Sequence, residues 1–467
     1  MRTVAVIGAG ISGLAAAYHI KKLARERGAE ISLIVFERGA TAGGKIVTDK
    51  VNGFVIDAGP DSVVAERQKF EEFCGELGIG RDLIEPKAGS EGVSVLLDGK
   101  LERLPDGMRL MLPAKLAPLL STGMISPLGK ARAAMEVLVP KKSGDSDEDA
   151  ASFVCRRFGR EVYDRMAEPL LAGIHAGDPG HTSLRCAFPV LEEIERKHRS
   201  LILASRAKET AAHKKDVRFE SFANGMAELT SALSAAVGLE NIRLGKNVRR
   251  IARAETSMPK YLVEIDGDAP VLADAVVFAT QAYEAGKIIE AFDKGVAALL
   301  GGIKYVPLIT VSLAYRSAGV SDKMTGSGFL VPHREGRLLS AVTWSSSKWN
   351  RRAPEGYDLV RCYFNGAYSN DAFALDDDAL ISAAQVELKE AALITGKPLF
   401  GVVHRWDMGM PQYTVGHRER LDDLRRRLEG YSGIFMTGAW SNGVGIASCI
   451  SNSEAVAQKV ISYISGI

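Results

Sequence analysis

Six residues near the start, Gly8-Ala9-Gly10-Ile11-Ser12-Gly13, have the types and spacing to hold a diphosphate. In a GxGxxG turn between strand and helix, the first glycine permits the tight turn. The second lets backbone approach a pyrophosphate, and the third lets the helix pack on the sheet. The helix start then presents unpaired N–H groups and a partial positive charge to the phosphates. Glu37 ends the next apolar stretch, where a carboxylate would grip a ribose hydroxyl. A glycine turn alone is also an ordinary βα turn; its setting and Glu37 favour a nucleotide. Glu37-Arg38-Gly39-Ala40-Thr41-Ala42-Gly43-Gly44-Lys45 then sets a glycine doublet beside a basic residue. Asp57-Ala58-Gly59-Pro60-Asp61-Ser62 follows, and Gly443-Val444-Gly445-Ile446 leads into a late helical pattern.

These motifs need a sheet to carry them. Thr3–Ile7 and Ser32–Phe36 are short apolar strands, and Ile11, Leu14, Ala15, Tyr18 and Leu23 between them recur at helical spacing. Strand, turn, helix and strand make one βαβ unit, which requires a parallel sheet. Gly433–Thr437 repeats the style ahead of a helix carrying Ile446, Ile450, Val456, Val460 and Ile461. In the middle, Pro105–Pro140 reads as short amphipathic helices, Lys141–Asp149 as an exposed acidic loop and Ala151–Ala212 as further helix. Val248–Ile251, Tyr261–Ile265 and Ala275–Thr280 read as strands. Leu308–Tyr315, Gly328–Val331, Leu339–Trp344 and Leu359–Phe364 read as a separate sheet. The predicted fold is α/β, a discontinuous Rossmann-type nucleotide domain with an inserted substrate sheet domain and a helical lobe. The nucleotide domain takes 1–85, 216–297 and 429–467, the sheet domain 86–104 and 298–428, and the helical lobe 105–215.

At 467 residues the chain is long enough for two or three lobes. It is 46% hydrophobic and 25% charged, as folded chains are. A net charge of +2 gives no basic face for nucleic acid. Cys74, Cys155, Cys186, Cys362 and Cys449 are scattered and odd in number, which fits free thiols in a reducing compartment better than disulfides or zinc. No signal peptide is evident, and no apolar run approaches the roughly 18–20 residues needed to span a bilayer. The expectation is a cytoplasmic protein without a metal, with peripheral contact at the inner face of the cell membrane left open.

The Glu37–Lys45 segment resembles the glycine-doublet motif of amine-oxidase-like flavoproteins. Asp57–Ser62 resembles the loop those proteins place near the flavin ring, and Thr437-Gly438-Ala439-Trp440 with Gly443–Ile446 their C-terminal FAD-closing motif. A second helix start there would point at the flavin O2 edge and stabilise negative charge on reduced flavin. Further segments make the chain similar, nearly end to end, to the oxygen-dependent, FAD-containing porphyrinogen oxidases. They are Ser121-Thr122-Gly123, Glu168 to Asp178, Lys197 to Leu203, Met410-Pro411-Gln412-Tyr413 and Cys449-Ile450. The resemblance implies non-covalent FAD held by Gly8, Ala9, Gly10, Ile11, Ser12, Gly13, Glu37, Arg38, Gly43, Gly44, Lys45, Gly59, Pro60, Asp61, Ser62, Val248, Trp406, Val444, Gly445 and Ile446. It implies six-electron oxidation of a porphyrinogen in heme biosynthesis, with O2 as acceptor, hydrogen peroxide as by-product and a ferrochelatase downstream. Val93 stands where animal and plant enzymes carry an arginine. Gly326-Ser327-Gly328-Phe329 and Lys348-Trp349 look like the Gram-positive type, which favours coproporphyrinogen III over protoporphyrinogen IX. In that branch Arg67 would meet a substrate carboxylate, and Ile174 and Leu330 would line the pocket.

Blander readings stand beside these. Arg67 is otherwise a surface arginine, and Ile174 and Leu330 ordinary core. His175 beside Asp178 suggests a base, but a structural histidine is favoured; no catalytic residue is assigned. Asp145, Asp147, Glu148 and Asp149 read as a solvated run and Cys449 as a buried small residue. An amine oxidase or carotenoid desaturase would share the FAD domain, although Leu308–Tyr315 lacks the lysine such oxidases tend to place near flavin. A non-catalytic flavin or porphyrin carrier is the other alternative. Oligomeric state stays open.

Overall fold

A computed structural model describes the chain except residues 106–107, 110–111, 114–115, 207–216, 256–259, 319, 321, 323, 369, 393 and 467. Five strands run parallel in the order Ile242–Arg243, Ile31–Phe36, Arg2–Ile7, Ala275–Phe278, Ile434–Met436. Val4, Val6, Leu33, Val35 and Val277 project to one side, against Leu14, Ile20, Leu233 and Val460 of three helices. Ala5, Ile7, Phe36, Val276 and Phe278 project to the other, against Val248, Val263, Ile289 and Leu300. With both faces covered, the inner positions of the longer strands are apolar, so these strands read as runs and not as alternations. The strands expected at Ala275–Thr280 and Gly433–Thr437 end earlier, at Phe278 and Met436. The residues beyond them turn into the site.

The second sheet has seven strands in the order Phe400–Pro411, Tyr305–Arg316, Tyr357–Asn365, Leu339–Thr343, Gly328–Leu330, Ser94–Leu97, Lys100–Arg103. Val311, Leu313, Val360, Cys362 and Phe364 bury one face against Leu380, Ala384 and Leu388 of the helix Asp377–Ala392. Period-2 alternation sends Thr310, Ser312, Arg361, Tyr363 and Thr343 to the opposite face. That face meets the Asp57–Ser62 loop, because Thr310 Oγ1 donates to the Ala58 carbonyl.

Short helices pack Phe153, Phe158, Leu171, Leu191 and Ile202 against Val95 and Leu97 at the sheet's edge. Arg157 and Glu136, neither with exposed surface, form an ion pair at their centre. Glu136 also accepts from Ser200 Oγ and the Leu201 N–H, so the buried charge is fully bonded. Two expectations need correction. Pro105–Pro140 is not helical throughout: Met108–Arg109 pairs with Leu112–Pro113 before the helices Leu116–Ser121 and Pro127–Ala134. So short a ladder depends on its partner strand, which periodicity does not see. The acidic run is a loop with Asp145 exposed, as expected, but its last three carboxylates are half-buried and bonded. Asp147 accepts from Ser183 Oγ at 2.6 Å, Glu148 pairs with Arg156 at 2.7 Å, and Asp149 caps the helix Ala150–Phe158 by accepting from the Ser152 N–H. The expected helix Ala151–Ala212 is broken into pieces, one a π turn at Tyr163–Ala167, and its last six positions lie outside the described residues. Among the described residues no helix is long and apolar enough to cross a membrane.

Candidate functional site

The first glycine turn has three distinct constraints. Gly8 has φ +101°, a conformation L side chains rarely adopt. A Cβ on Gly13 would lie 1.8 Å from the Gly8 carbonyl oxygen, so the helix sits directly on the turn. A Cβ on Gly10 would meet only the Cα of Gly44, at 3.9 Å, so Gly10 faces space. The helix Ile11–Glu26 starts at Gly10 with no side-chain cap and no acidic residue in its first turn. The N–H groups of Ile11, Ser12 and Gly13 therefore have no intrahelical partner. The doublet closes over this end: the Gly43 N–H donates to the Ala9 carbonyl at 2.8 Å.

Glu37 accepts from the Ala9 and Gly39 N–H groups, each at 2.8 Å. The Ala9 N–H is thus committed within the protein. Each oxygen of Glu37 retains lone-pair capacity for a ribose hydroxyl. The Gly245 N–H donates to Gly39 and the Lys246 N–H to Glu37, which brings the segment leading into buried Val248 beside the same corner. Arg38 turns away, 58% exposed and paired with Glu284 at 3.1 Å. Lys45 Nζ donates to the Met408 and Gly409 carbonyls, both at 2.5 Å, and burial lowers its ammonium to about 8.

The Asp57–Ser62 loop is clamped by the seven-stranded sheet. The Ala58 carbonyl accepts from Thr310 Oγ1 at 3.2 Å, Arg361 Nη2 at 2.8 Å and Trp406 Nε1 at 3.1 Å. The same Arg361 nitrogen donates to Gly59 at 2.5 Å. A Cβ on Gly59 would lie 1.9 Å from the Lys45 carbonyl, and half-buried Pro60 follows it. Burial pushes Asp61 up, but Lys348 and Arg361 outweigh it and hold the carboxyl well below the usual range. Asp61 lies 3.4 Å from Lys348 Nζ and accepts from Ser62 Oγ at 2.8 Å. At the loop's start, Asp57 accepts from the Met226 N–H and pairs with Arg352 at 3.2 Å. Burial nonetheless raises its carboxyl.

A second helix start lies beside the first. Ile446–Ser465 begins at Gly445, again without a side-chain cap or an early acidic residue. Ser453 Oγ donates to the Ser12 carbonyl at 2.9 Å, which sets the two helices side by side. The Gly443 N–H donates to Tyr413 Oη at 2.7 Å, fixing the turn that holds Val444.

A family model described as flavin containing amine oxidoreductase matches residues 11–461. The chain belongs to that family. It is an FAD-dependent oxidoreductase. It is 32% identical to a protein named coproporphyrinogen III oxidase from Bacillus subtilis (strain 168), covering 99% of this chain and 98% of that protein. It is 27% identical to a protein named protoporphyrinogen oxidase 1, chloroplastic, from Arabidopsis thaliana, over 98% of this chain and 88% of that one. A solved structure from Exiguobacterium sp. 255-15 superposes with a TM-score of 0.86 at 25% identity, covering 98% of each chain. Cyclohexylamine oxidase of Brevibacterium oxydans gives 0.68 at 16%, a likeness of fold alone, covering 98% of this chain and 99% of that one.

The residues fit FAD. Space at Gly10, two uncapped helix starts without early acids and a ribose-ready Glu37 converge on one region. Beside it, Gly173 on the helix Glu168–His175 would place a Cβ 3.4 Å from Leu330 Cδ2. Ile174 follows on that helix, 44% exposed, and Leu330 is half-buried on the strand that Gly173 faces. Arg67 opens a helix, and its guanidinium meets Glu71 at 2.7 Å and Glu85 at 3.0 Å. His175 does not pair with Asp178, whose partner is His181 at 2.9 Å. Burial lowers His175 to about 4, so it is a neutral core residue packed on Phe188 and Tyr413. Cys449 is buried, which pushes its thiol up. Sequence reasoning missed Arg361, Arg352 and Lys348. The signal was there for Arg361, since a charge inside the apolar strand Leu359–Phe364 requires a partner.

Proposed function

We propose that this chain oxidises a porphyrinogen to a porphyrin in heme biosynthesis, with coproporphyrinogen III favoured over protoporphyrinogen IX. The observation that carries this is the loop clamped by Arg361 and Trp406 on the sheet face that apolar Leu330 shares. It occurs in a chain similar over its whole length to a coproporphyrinogen III oxidase. Residues 1–85, 216–297 and 429–467 hold FAD in this reading, 86–104 and 298–428 carry the substrate sheet, and 105–215 forms the helical cover. Bound FAD supplies two-electron acceptance; six hydrogens leave the macrocycle in three rounds, and three O2 become three hydrogen peroxide. The chain's own residues contribute placement and electrostatics. Ile174 and Leu330 seat an apolar macrocycle and exclude water. The Ile446–Ser465 helix start, uncapped and without an early acidic residue, would supply partial positive charge to the cofactor. No side chain is assigned as acid or base, because pyrrole N–H protons can leave by tautomerisation. A substrate carboxylate reaching Arg67 would have to displace Glu71 or Glu85. A downstream ferrochelatase is the partner this chemistry implies. Leu128, Met135 and Leu138, exposed on the helical stretch, are the surface for any peripheral membrane contact.

The test is anaerobic reduction of the bound flavin by coproporphyrinogen III, protoporphyrinogen IX and a panel of amines, followed by aerobic porphyrin fluorescence. Bleaching by coproporphyrinogen III at the highest efficiency is expected. Bleaching by an amine alone would replace the proposal with an amine oxidase.

A further inference from the structure

Between the Asp57–Ser62 loop and the seven-stranded sheet lies a small chamber, apolar in part, whose polar lining is Asp57, Asp61, Ser312, Ser345, Arg352 and Arg361. Ser312 and Arg361 are directly opposed on neighbouring strands, so they enter it from one level. Two atoms of this lining make no hydrogen bond: Asp57 Oδ2, an acceptor, and Arg361 Nε, a donor. Their residues are 5% and 3% exposed. Groups so buried are almost always bonded, because each otherwise bears its desolvation penalty unrelieved. The ion pair from Asp57 Oδ2 to Arg352, at 3.2 Å, supplies charge but not a hydrogen bond.

We propose that this chamber binds a single internal water molecule, which accepts from Arg361 Nε and donates to Asp57 Oδ2. Its second hydrogen reaches a neighbouring oxygen of Asp61 or a serine. Size and charge select this ligand. The centre of a water molecule has about 10 Å3 to move in, at the threshold for one water and too little for anything larger. Two carboxylates face two guanidiniums, so neither an anion nor a cation is favoured over a neutral dipole. A route of entry exists. Trp349 and Arg352 also line an open cleft of about 200 Å3, so exchange with solvent needs only one of these side chains to move.

The consequence lies in the loop. Arg361 already holds the Ala58 and Gly59 carbonyls through Nη2. The water ties its Nε to Asp57, where the loop begins, so one guanidinium braces both sides of the turn. Arg361 is thus a positioning residue. The water site stands without any flavin assignment, whereas its effect on cofactor binding rests on the proposed function.

The experiment is a crystal structure of the holoenzyme at a resolution that shows ordered water, paired with FAD titration of two variants. Density within hydrogen-bond distance of both Asp57 Oδ2 and Arg361 Nε is expected. An empty chamber, or one closed by direct bonding of its walls, overturns the proposal. Ser312→Val fills the chamber with methyl groups at a strand position that suits them. It should remove the density and weaken FAD by roughly tenfold, as for one bond to a charged group. Ser312→Ala should keep the density and stay within about twofold of wild type. Unchanged affinity in a folded Ser312→Val protein that lacks the density overturns the bracing role. Should that variant not fold, the wild-type density decides the water site, and the bracing role is decided by whether Arg361→Lys, which has no Nε–H fork, loses both the density and FAD affinity. Wild-type protein with the density but no affinity for FAD would refute the flavin placement alone.

Discussion

Gly10 and Gly13 belong to one motif, yet the structure gives them opposite reasons for being glycine. Gly10 has φ −74° and ψ −178°, which any residue adopts, and a Cβ there meets only Gly44 Cα at 3.9 Å. Gly10→Ala should therefore leave the apoprotein intact, or stabilise it by about 0.4–1 kcal/mol through the unfolded chain. Against a pyrophosphate the same methyl is overpacked. About 1–3 kcal/mol of overpacking corresponds to roughly 5–150-fold weaker FAD. Gly10→Val, with two more carbons, should abolish binding. Gly13→Ala is the control, since its Cβ would fall 1.8 Å from a backbone oxygen that cannot swing aside. It should destabilise apo and holo forms alike, by about 3 kcal/mol or more. The assay is flavin fluorescence titration of each apoprotein, with melting measured with and without FAD. Wild type and Gly13→Ala, if it folds, should show an FAD-dependent rise in midpoint; Gly10→Val should show none. A folded Gly10→Val protein with full flavin occupancy would refute the phosphate assignment.

Acid precipitation should leave all flavin in the supernatant, because the stretch Arg405–His417 contains no cysteine; flavin retained on the pellet would show a covalent link. Arg67→Ala should change the Michaelis constant for coproporphyrinogen III by less than about fivefold, since its exposed pairs with Glu71 and Glu85 contribute little. A rise well beyond that, larger than for protoporphyrinogen IX, would restore Arg67 as an anchor. His417 is lowered to about 4 by burial, and its Nε2 lies 2.9 Å from the Trp440 carbonyl oxygen. Because its folded value lies below the unfolded one, the unfolded chain binds the extra proton first, and stability falls as pH drops from about 6.5 to 4. Roughly 2–3 kcal/mol should be lost over that window, and His417→Gln should flatten the midpoint-versus-pH curve there; an unaltered curve would contradict the neutral buried assignment.

The parts of the site legible in the sequence are those made by neighbours in the chain. Gly8 to Gly13, the doublet at Gly43 and the helix start at Gly445 declare themselves through local conformation and order. Four strands of each sheet were visible as apolar runs and alternations, whereas Ile242–Arg243, Ser94–Leu97, Lys100–Arg103 and Phe400–Pro411 were not read as strands. What was hidden depends on pairing across long separations. Arg361 bonds Gly59, and Lys348 pairs with Asp61, only because two sheets meet. Glu85, eighteen positions from Arg67 on another element, is a partner no spacing rule supplies, whereas Glu71 stands at the i,i+4 spacing of a helical pair. The partners of Asp147 and Glu148 were hidden for the same reason: Ser183 and Arg156 bind them, while Asp145 stays exposed.

The interleaving of the parallel sheet also sets a timetable. Arg2–Ile7 pairs with Ala275–Phe278, which in turn pairs with Ile434–Met436, so the central strands come from the beginning, middle and far end of the chain. On a ribosome adding roughly 5–20 residues per second, the first glycine turn waits tens of seconds for the strand and helix that complete its surroundings. Capture of the cofactor is therefore a late event of synthesis. Until Ala275–Phe278 emerges, one edge of Arg2–Ile7 is uncovered and open to chaperones, and a chain stopped before residue 430 should emerge colourless.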